Sequence, residues 1–157
     1  MKLLIIPILV IVVMIEGCQK RGEEEIVILH KDYTGYVVII YNQKTGTRIK
    51  YEGKKRVYEI PAEGILKTQF SGNYGWVGFT EFYYENIAPE NKIPFIVESK
   101  NIPVDSVVAF GGSTGNANKN LDGEETIEFR LFYVGNEEQI DKAYQEAEKL
   151  DIVKLAN

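Results

Sequence analysis

The chain has 157 residues, of which 45% are hydrophobic and 26% charged, with 14 Gly, 10 Tyr, 7 Phe and a single Trp, His and Cys. These proportions exclude a disordered, collagen-like or disulfide-stapled chain, because the apolar content suffices for a core and one cysteine closes no internal bridge. A net charge of −5 argues against nucleic acid as a partner, since phosphate binding needs clustered Lys and Arg.

At the N-terminus, Met1-Lys2 supplies a positive charge and Leu3 to Ile15 an apolar run of 13 residues. A spanning helix needs about 20 apolar residues, so this run reads as the core of a secretion signal. It ends at Ile15-Glu16-Gly17-Cys18, where a small residue directly precedes the only cysteine. That arrangement resembles the lipobox of bacterial lipoproteins, although Glu16 stands where the pattern has a small or apolar residue. The resemblance implies a signal peptide over residues 1–17, diacylglycerol on Cys18, and membrane attachment through the N-terminal lipid. It also implies a place in the cell envelope, at the outer membrane if the cell is Gram-negative. Residues 18–25, Cys18-Gln19-Lys20-Arg21-Gly22-Glu23-Glu24-Glu25, contain no apolar side chain after the cysteine and read as a charged, solvated tether. A Lys followed by acids also resembles the export tags of some surface-exposed lipoproteins. The folded domain is expected over 26–157.

From Ile26 the chain breaks into short β-rich runs separated by turn residues, the pattern of a single β-sandwich. Ile26 to His30 is the first expected strand. Tyr36 to Tyr41 is entirely β-branched and aromatic, so it is expected at the centre of a sheet and covered on both faces. Arg48 to Glu52 and Arg56 to Ile60 flank Gly53-Lys54-Lys55 as a hairpin. Strands are further expected at Ile65 to Phe70, at the aromatic run Trp76 to Tyr84, and at Ile93 to Val97 and Val107 to Phe110. Gly111 to Glu125 has no apolar pattern and reads as the longest loop. In the next strand Ile127, Phe129, Leu131 and Tyr133 share one face. A C-terminal amphipathic helix is expected at about 137–150. Asn136 caps it, Gln139 completes a capping box, and Ile140, Ala143, Tyr144, Ala147 and Leu150 line one side.

Few motifs carry chemistry. Gly111-Gly112-Ser113-Thr114-Gly115 lacks the Lys and the spacing of a phosphate-binding loop. Asn118, Asn120 and Asp122, followed by Gly123, suggest the first half of a calcium loop, but the twelfth position is Phe129, where a bidentate acid is needed. With one His and Cys18 assigned to lipid, neither a nucleophilic triad nor a transition-metal site is expected, and no cofactor is implied. The aromatic stretch is the best binding candidate: outward-facing Tyr74, Trp76, Tyr83 and Tyr84 would form a stacking platform for a sugar or an anchor for a protein.

Gly35-Tyr36-Val37-Val38-Ile39-Ile40-Tyr41-Asn42, Tyr58-Glu59-Ile60-Pro61-Ala62-Glu63-Gly64-Ile65-Leu66-Lys67-Thr68, Trp76 and Phe132-Tyr133-Val134-Gly135 together resemble a small family of bacterial lipoproteins and secreted proteins without an assigned activity. The resemblance implies a prealbumin-like or immunoglobulin-like sandwich and an envelope location, and it transfers no catalytic residue. The expected role is a non-enzymatic binding or accessory module for a glycan or an envelope protein. A carboxylate-dependent hydrolase and a purely structural lipoprotein are the alternatives.

Overall fold

Ten strands arrange into two mixed sheets of five. The computed structural model describes residues 22–75, 78–120, 123 and 125–157; the signal segment, Cys18, Trp76 and Asp122 lie outside the described residues. The strands are β1 (Glu25–Leu29), β2 (Gly35–Ile40), β3 (Tyr51–Glu52), β4 (Lys55–Glu59), β5 (Ile65–Lys67), β6 (Glu81–Tyr84), β7 (Lys92–Ile93), β8 (Phe95–Ile96), β9 (Val108–Asn118) and β10 (Thr126–Gly135). The first sheet runs β3-β4-β1-β6-β7 and the second β5-β2-β10-β9-β8. The chain shuttles between the layers, so β1 lies parallel to both of its neighbours, and β2–β5 and β8–β9 are parallel as well. The mainly β, two-layered expectation therefore holds. The pairing differs from the immunoglobulin pattern, whose sheets are antiparallel.

The layers share one apolar cluster, to which β1 gives Val27 and Leu29, β2 gives Val37 and Ile39, β4 gives Tyr58, β6 gives Phe82, and β10 gives Phe132 and Val134. Across it, Phe82 meets Phe132 edge-on, with ring centroids 5.1 Å apart. Strand alternation sends the other side chains of β2, Val38 and Ile40, to the outer face, where they are buried too. Although the centre of its sheet is β10, the β-branched run is thus interior, between β5 and β10, and covered on both faces. Its outer cover is helical. Helix α1 (Glu137–Ala147), closed by the reciprocal Asn136 and Gln139 capping box, lays Ile140 and Ala143 against Val108 and Tyr133. The expected single helix stops at Ala147, and a second, α2 (Ile152–Ala156), begins after Asp151, whose side chain accepts from the Lys154 N–H. This break lets Ile152, Val153 and Leu155 reach Val38 and Ile40, a patch that a straight helix would overshoot.

The expected loop over Gly111 to Glu125 is largely strand: β9 runs eleven residues and pairs with β10 along its length. Its signal is hidden because glycines replace the apolar residues that mark a strand. At Gly115 a Cβ would lie 2.7 Å from Cε1 of Phe129, so the absence of a side chain makes room for the facing ring. The aromatic run is correspondingly shorter as a strand, since β6 begins only at Glu81.

Among the described residues, no helix covers the outer face of the first sheet. Ile26, Val57 and Tyr83 are nevertheless buried there, packed against Ile28. Charged side chains lie over them: Lys55 Nζ is 2.5 Å from Glu81 and 3.2 Å from Glu24, and Lys92 Nζ sits 5.7 Å above the Tyr83 ring. Long aliphatic stems cover apolar surface while the charges pair in solvent. The Lys55 hydrogen bond, then that of the Tyr83 hydroxyl, hold the Glu81 carboxyl below its ordinary 4.5 against the opposing effect of burial. A carboxyl held low binds fewer protons in the folded chain than in the unfolded one. Its contribution to stability is therefore present above the unfolded value and lost as pH falls through the folded value. The thermal midpoint of the wild type, followed from neutral pH downward, should fall more steeply below 4.5 than that of Glu81→Gln; parallel curves would show that this ion pair contributes nothing.

Candidate functional site

Glu25 is the first residue of β1, and strand alternation points it inward with Val27 and Leu29. It is 2% exposed. An ionised carboxylate at that depth is tolerated only when its lone pairs are satisfied, and here both oxygens are. Oε1 accepts from the Tyr58 hydroxyl at 3.1 Å and from Asn73 Nδ2 at 2.8 Å. Oε2 accepts from Thr80 Oγ1 at 3.2 Å and pairs with Nη1 of Arg130. The Arg130 guanidinium also lies 4.9 Å from the Phe132 ring centre, and its Nε donates to the Gly112 carbonyl at 3.3 Å.

A second arginine stands beside this pair. Arg56, opposite Glu25 in the β1–β4 register, is buried, with Nε 2.5 Å from Glu23 Oε2 and Nη1 donating to the Ser71 carbonyl at 2.6 Å. Tyr51 adds a hydroxyl to the other Glu23 oxygen at 2.9 Å. The Tyr41 hydroxyl is buried close by with no partner among the described residues. Burial first, and then the charge of Glu25, push its pKa up to about 12; burial, then Tyr41 and after it Glu25, raise that of Tyr58. Both phenols are held neutral.

The consequence concerns the segment between Ser71 and Thr80. Asn73 and Thr80 bond the same carboxylate, so the two ends of the segment between them, of which residues 74, 75, 78 and 79 are described, are tied to Glu25. Asn73 also grips the incoming chain: Glu23 N–H donates to its Oδ1 at 2.9 Å, and its Nδ2 donates to the Glu23 carbonyl at 2.7 Å. At the Asn73 end a Cβ on Gly72 would lie 2.5 Å from the Glu128 carboxylate, which would have to turn aside to admit it. The loop presents Tyr74, 57% exposed, and Phe79, 72% exposed. Phe79 is backed by Phe95, at 5.7 Å, which stacks on the core residue Phe82.

The four aromatic residues expected to form one platform are not brought together as such. Tyr74 is on the loop and exposed. Tyr83 and Tyr84 point to opposite faces of β6: Tyr83 is buried under Lys92 with its hydroxyl on Glu81, and Tyr84 packs on the core and donates to the Tyr33 carbonyl at 2.8 Å. Phe79, which is not among the four expected residues, is exposed as Tyr74 is. The tether also ends earlier than expected, since Glu23 to Glu25 belong to the domain and β1 includes Glu25. Of the calcium candidates, Asn118 pairs with Thr126 in the β9–β10 ladder and Asn120 accepts from Gly123 N–H at 3.1 Å in the hairpin turn. A hairpin closed at Asn118 and Thr126 is not the twelve-residue coordinating loop, and Phe129 lies within β10. His30 is exposed beyond the end of β1.

Two mixed sheets over one core, a buried carboxylate at one end and an aromatic loop tied to it define a two-layered, mainly β domain. The chain belongs to the family of unknown function DUF6843, whose model matches residues 21–144. Its structure is similar to the crystal structure of a candidate lipoprotein from Bacillus anthracis, with a TM-score of 0.51 and 20% sequence identity over 71% of this chain and 68% of that one. No curated protein matches the sequence.

Glu25→Gln keeps the shape of the side chain but leaves Arg130 without its counter-charge. A broken buried pair costs about 3–5 kcal/mol, to be read as a lower urea midpoint, and chymotrypsin should cut the released 74–79 loop sooner. A variant as stable and as resistant as the wild type would show that the carboxylate does not tie the loop.

Proposed function

We propose that this chain is a lipid-anchored module of the bacterial cell envelope, cleaved after Gly17, held by acylated Cys18, and acting as a non-enzymatic binding or accessory module for an envelope glycan or protein. The observation that carries the reading is the distance between anchor and fold. Glu23 is already fastened by Asn73 and Arg56, five residues after Cys18. The chain between them spans at most about 17 Å when extended, so the domain is built to sit on its membrane. The likeness to the Bacillus anthracis protein supports the same reading. Glu25, Glu23 and Glu81 are each taken up by arginine, lysine or hydroxyl partners, which suits cohesion better than hydrolysis.

Recognition of a partner falls to the opposite end. The parallel strands β1, β4 and β6 all run away from the anchored end and finish around an open groove lined by Leu29, His30, Lys31, Glu59, Pro61 and Glu85. Glu85 in the groove and Asp32 beside it are non-glycine residues with φ of 58° and 57°. Such strain is retained where the surroundings over-determine it, as at binding sites.

Radiolabelled palmitate should enter the wild-type protein and not Cys18→Ala; equal labelling, or none in either, would sink the anchor. On immobilised envelope glycans the chain from Gly22 onward, which contains every strand, should be retained, and Pro61→Arg should abolish retention. Equal retention of the variant would place recognition outside the groove.

A further inference from the structure

The segment between Gly72 and Thr80 differs in composition from the rest of the protein. Between Gly72 and Thr80 there is no charged residue, in a chain where 26% of residues are charged. Its described side chains include Tyr74 and Phe79, both largely exposed, and Phe79 is the outermost ring of a ladder through Phe95 and Phe82 that is rooted in the core. An exposed phenylalanine held in place this way, without the freedom to fold back, is costly in water.

The place of the loop is set by Asn73. Its side chain forms two hydrogen bonds with the backbone of Glu23, so the foot of the loop and the point where the tether enters the domain are one place. Five residues separate Glu23 from Cys18, and with the reach of an extended chain the foot lies within about 17 Å of the acylated cysteine. In the acidic run at this end Glu23 pairs with Arg56, Glu24 with Lys55 and Glu25 with Arg130, and the tether itself carries Lys20 and Arg21. No uncompensated acid of the Glu23–Glu25 run therefore opposes approach to anionic headgroups.

We infer that Tyr74 and Phe79 rest in the interfacial layer of the membrane that holds Cys18, making these two side chains a second, non-covalent anchor that fixes the orientation of the domain. This rests on the lipid anchor proposed above. Aromatic side chains favour that layer because the ring is apolar and, in tyrosine, the hydroxyl stays with the headgroups. Attachment through both acyl chains and an aromatic contact converts a domain swinging on a tether into one seated with the groove end outward. It also fixes the level at which a partner in the envelope is met.

The test uses the full-length lipoprotein in vesicles of phosphatidylcholine and phosphatidylglycerol containing shallow-brominated lipid. The chain has a single tryptophan, Trp76, which serves as reporter by its place in the sequence two residues after Tyr74. The expected result is emission shifted to the blue and quenched by the bromines, with most of the quenching lost in the Tyr74→Ser/Phe79→Ser variant while palmitate labelling is unchanged. Water-like, unquenched emission from palmitate-labelled protein would overturn the inference and leave the anchor standing. Absence of palmitate would overturn the anchor and, with it, the seating of the loop. A shift caused by added envelope glycan or protein, and not by lipid, would assign the loop to those partners and overturn the inference. Should the double variant fail to fold, the wild-type quenching decides alone.

Discussion

Most of what is distinctive at the end of the domain where β1 begins depends on one buried carboxylate. Removing Glu25 from water carries a large desolvation cost, which only close, well-directed partners offset. Those partners come from every layer: Tyr58 from the first sheet, Arg130 from the second, Asn73 and Thr80 from the loop that crosses the end. Apolar contacts between the sheets are non-directional and tolerate sliding. The Glu25–Arg130 pair has a direction, so it fixes how the end of β1 faces β10. The same carboxylate holds Asn73 and Thr80, on either side of the exposed Tyr74 and Phe79.

The two outer faces solve the burial of apolar side chains differently. On the second sheet, helices α1 and α2 cover Tyr133, Val108, Val38 and Ile40. On the first, Lys55, Lys92 and Glu81 cover Ile26, Val57 and Tyr83 with aliphatic stems and paired charges. That covering keeps a β face wet on top and dry beneath. The two ends of the domain also differ, because parallel β1, β4 and β6 all begin at the Glu25 end and finish at the groove end.

Several features were legible from neighbouring residues alone. The β-branched run Tyr36 to Tyr41 marked a strand buried on both faces, and Asn136 with Gln139 marked the start of the helix. The hairpin around Gly53 was likewise visible, with that glycine at a φ of +59° in its turn. Other features were hidden for identifiable reasons. Strand β9 carries glycines where a strand signal needs apolar residues, and the reason for them, the Phe129 ring, is on another strand. Glu23-Glu24-Glu25 has the composition of a solvated tether, and nothing near it in sequence tells that Arg56 and Arg130 come to meet it. Tyr74, Tyr83 and Tyr84 are equivalent as sequence; only packing separates the exposed one from the two absorbed by Glu81, Lys92 and Tyr33.

By itself the sequence determined the mainly β class, the β2 strand buried on both faces and the capped helix. Each of these follows from residues within a few positions of one another, through side-chain alternation, capping and local backbone preference. The tertiary structure alone decided that Glu25 belongs to the core, that the sheets are mixed, and that Tyr74 and Phe79 stand exposed at the end where the tether enters. These depend on partners far apart in the chain, 105 residues in the case of Glu25 and Arg130, and a charge finds such a partner only when the fold has brought the two together.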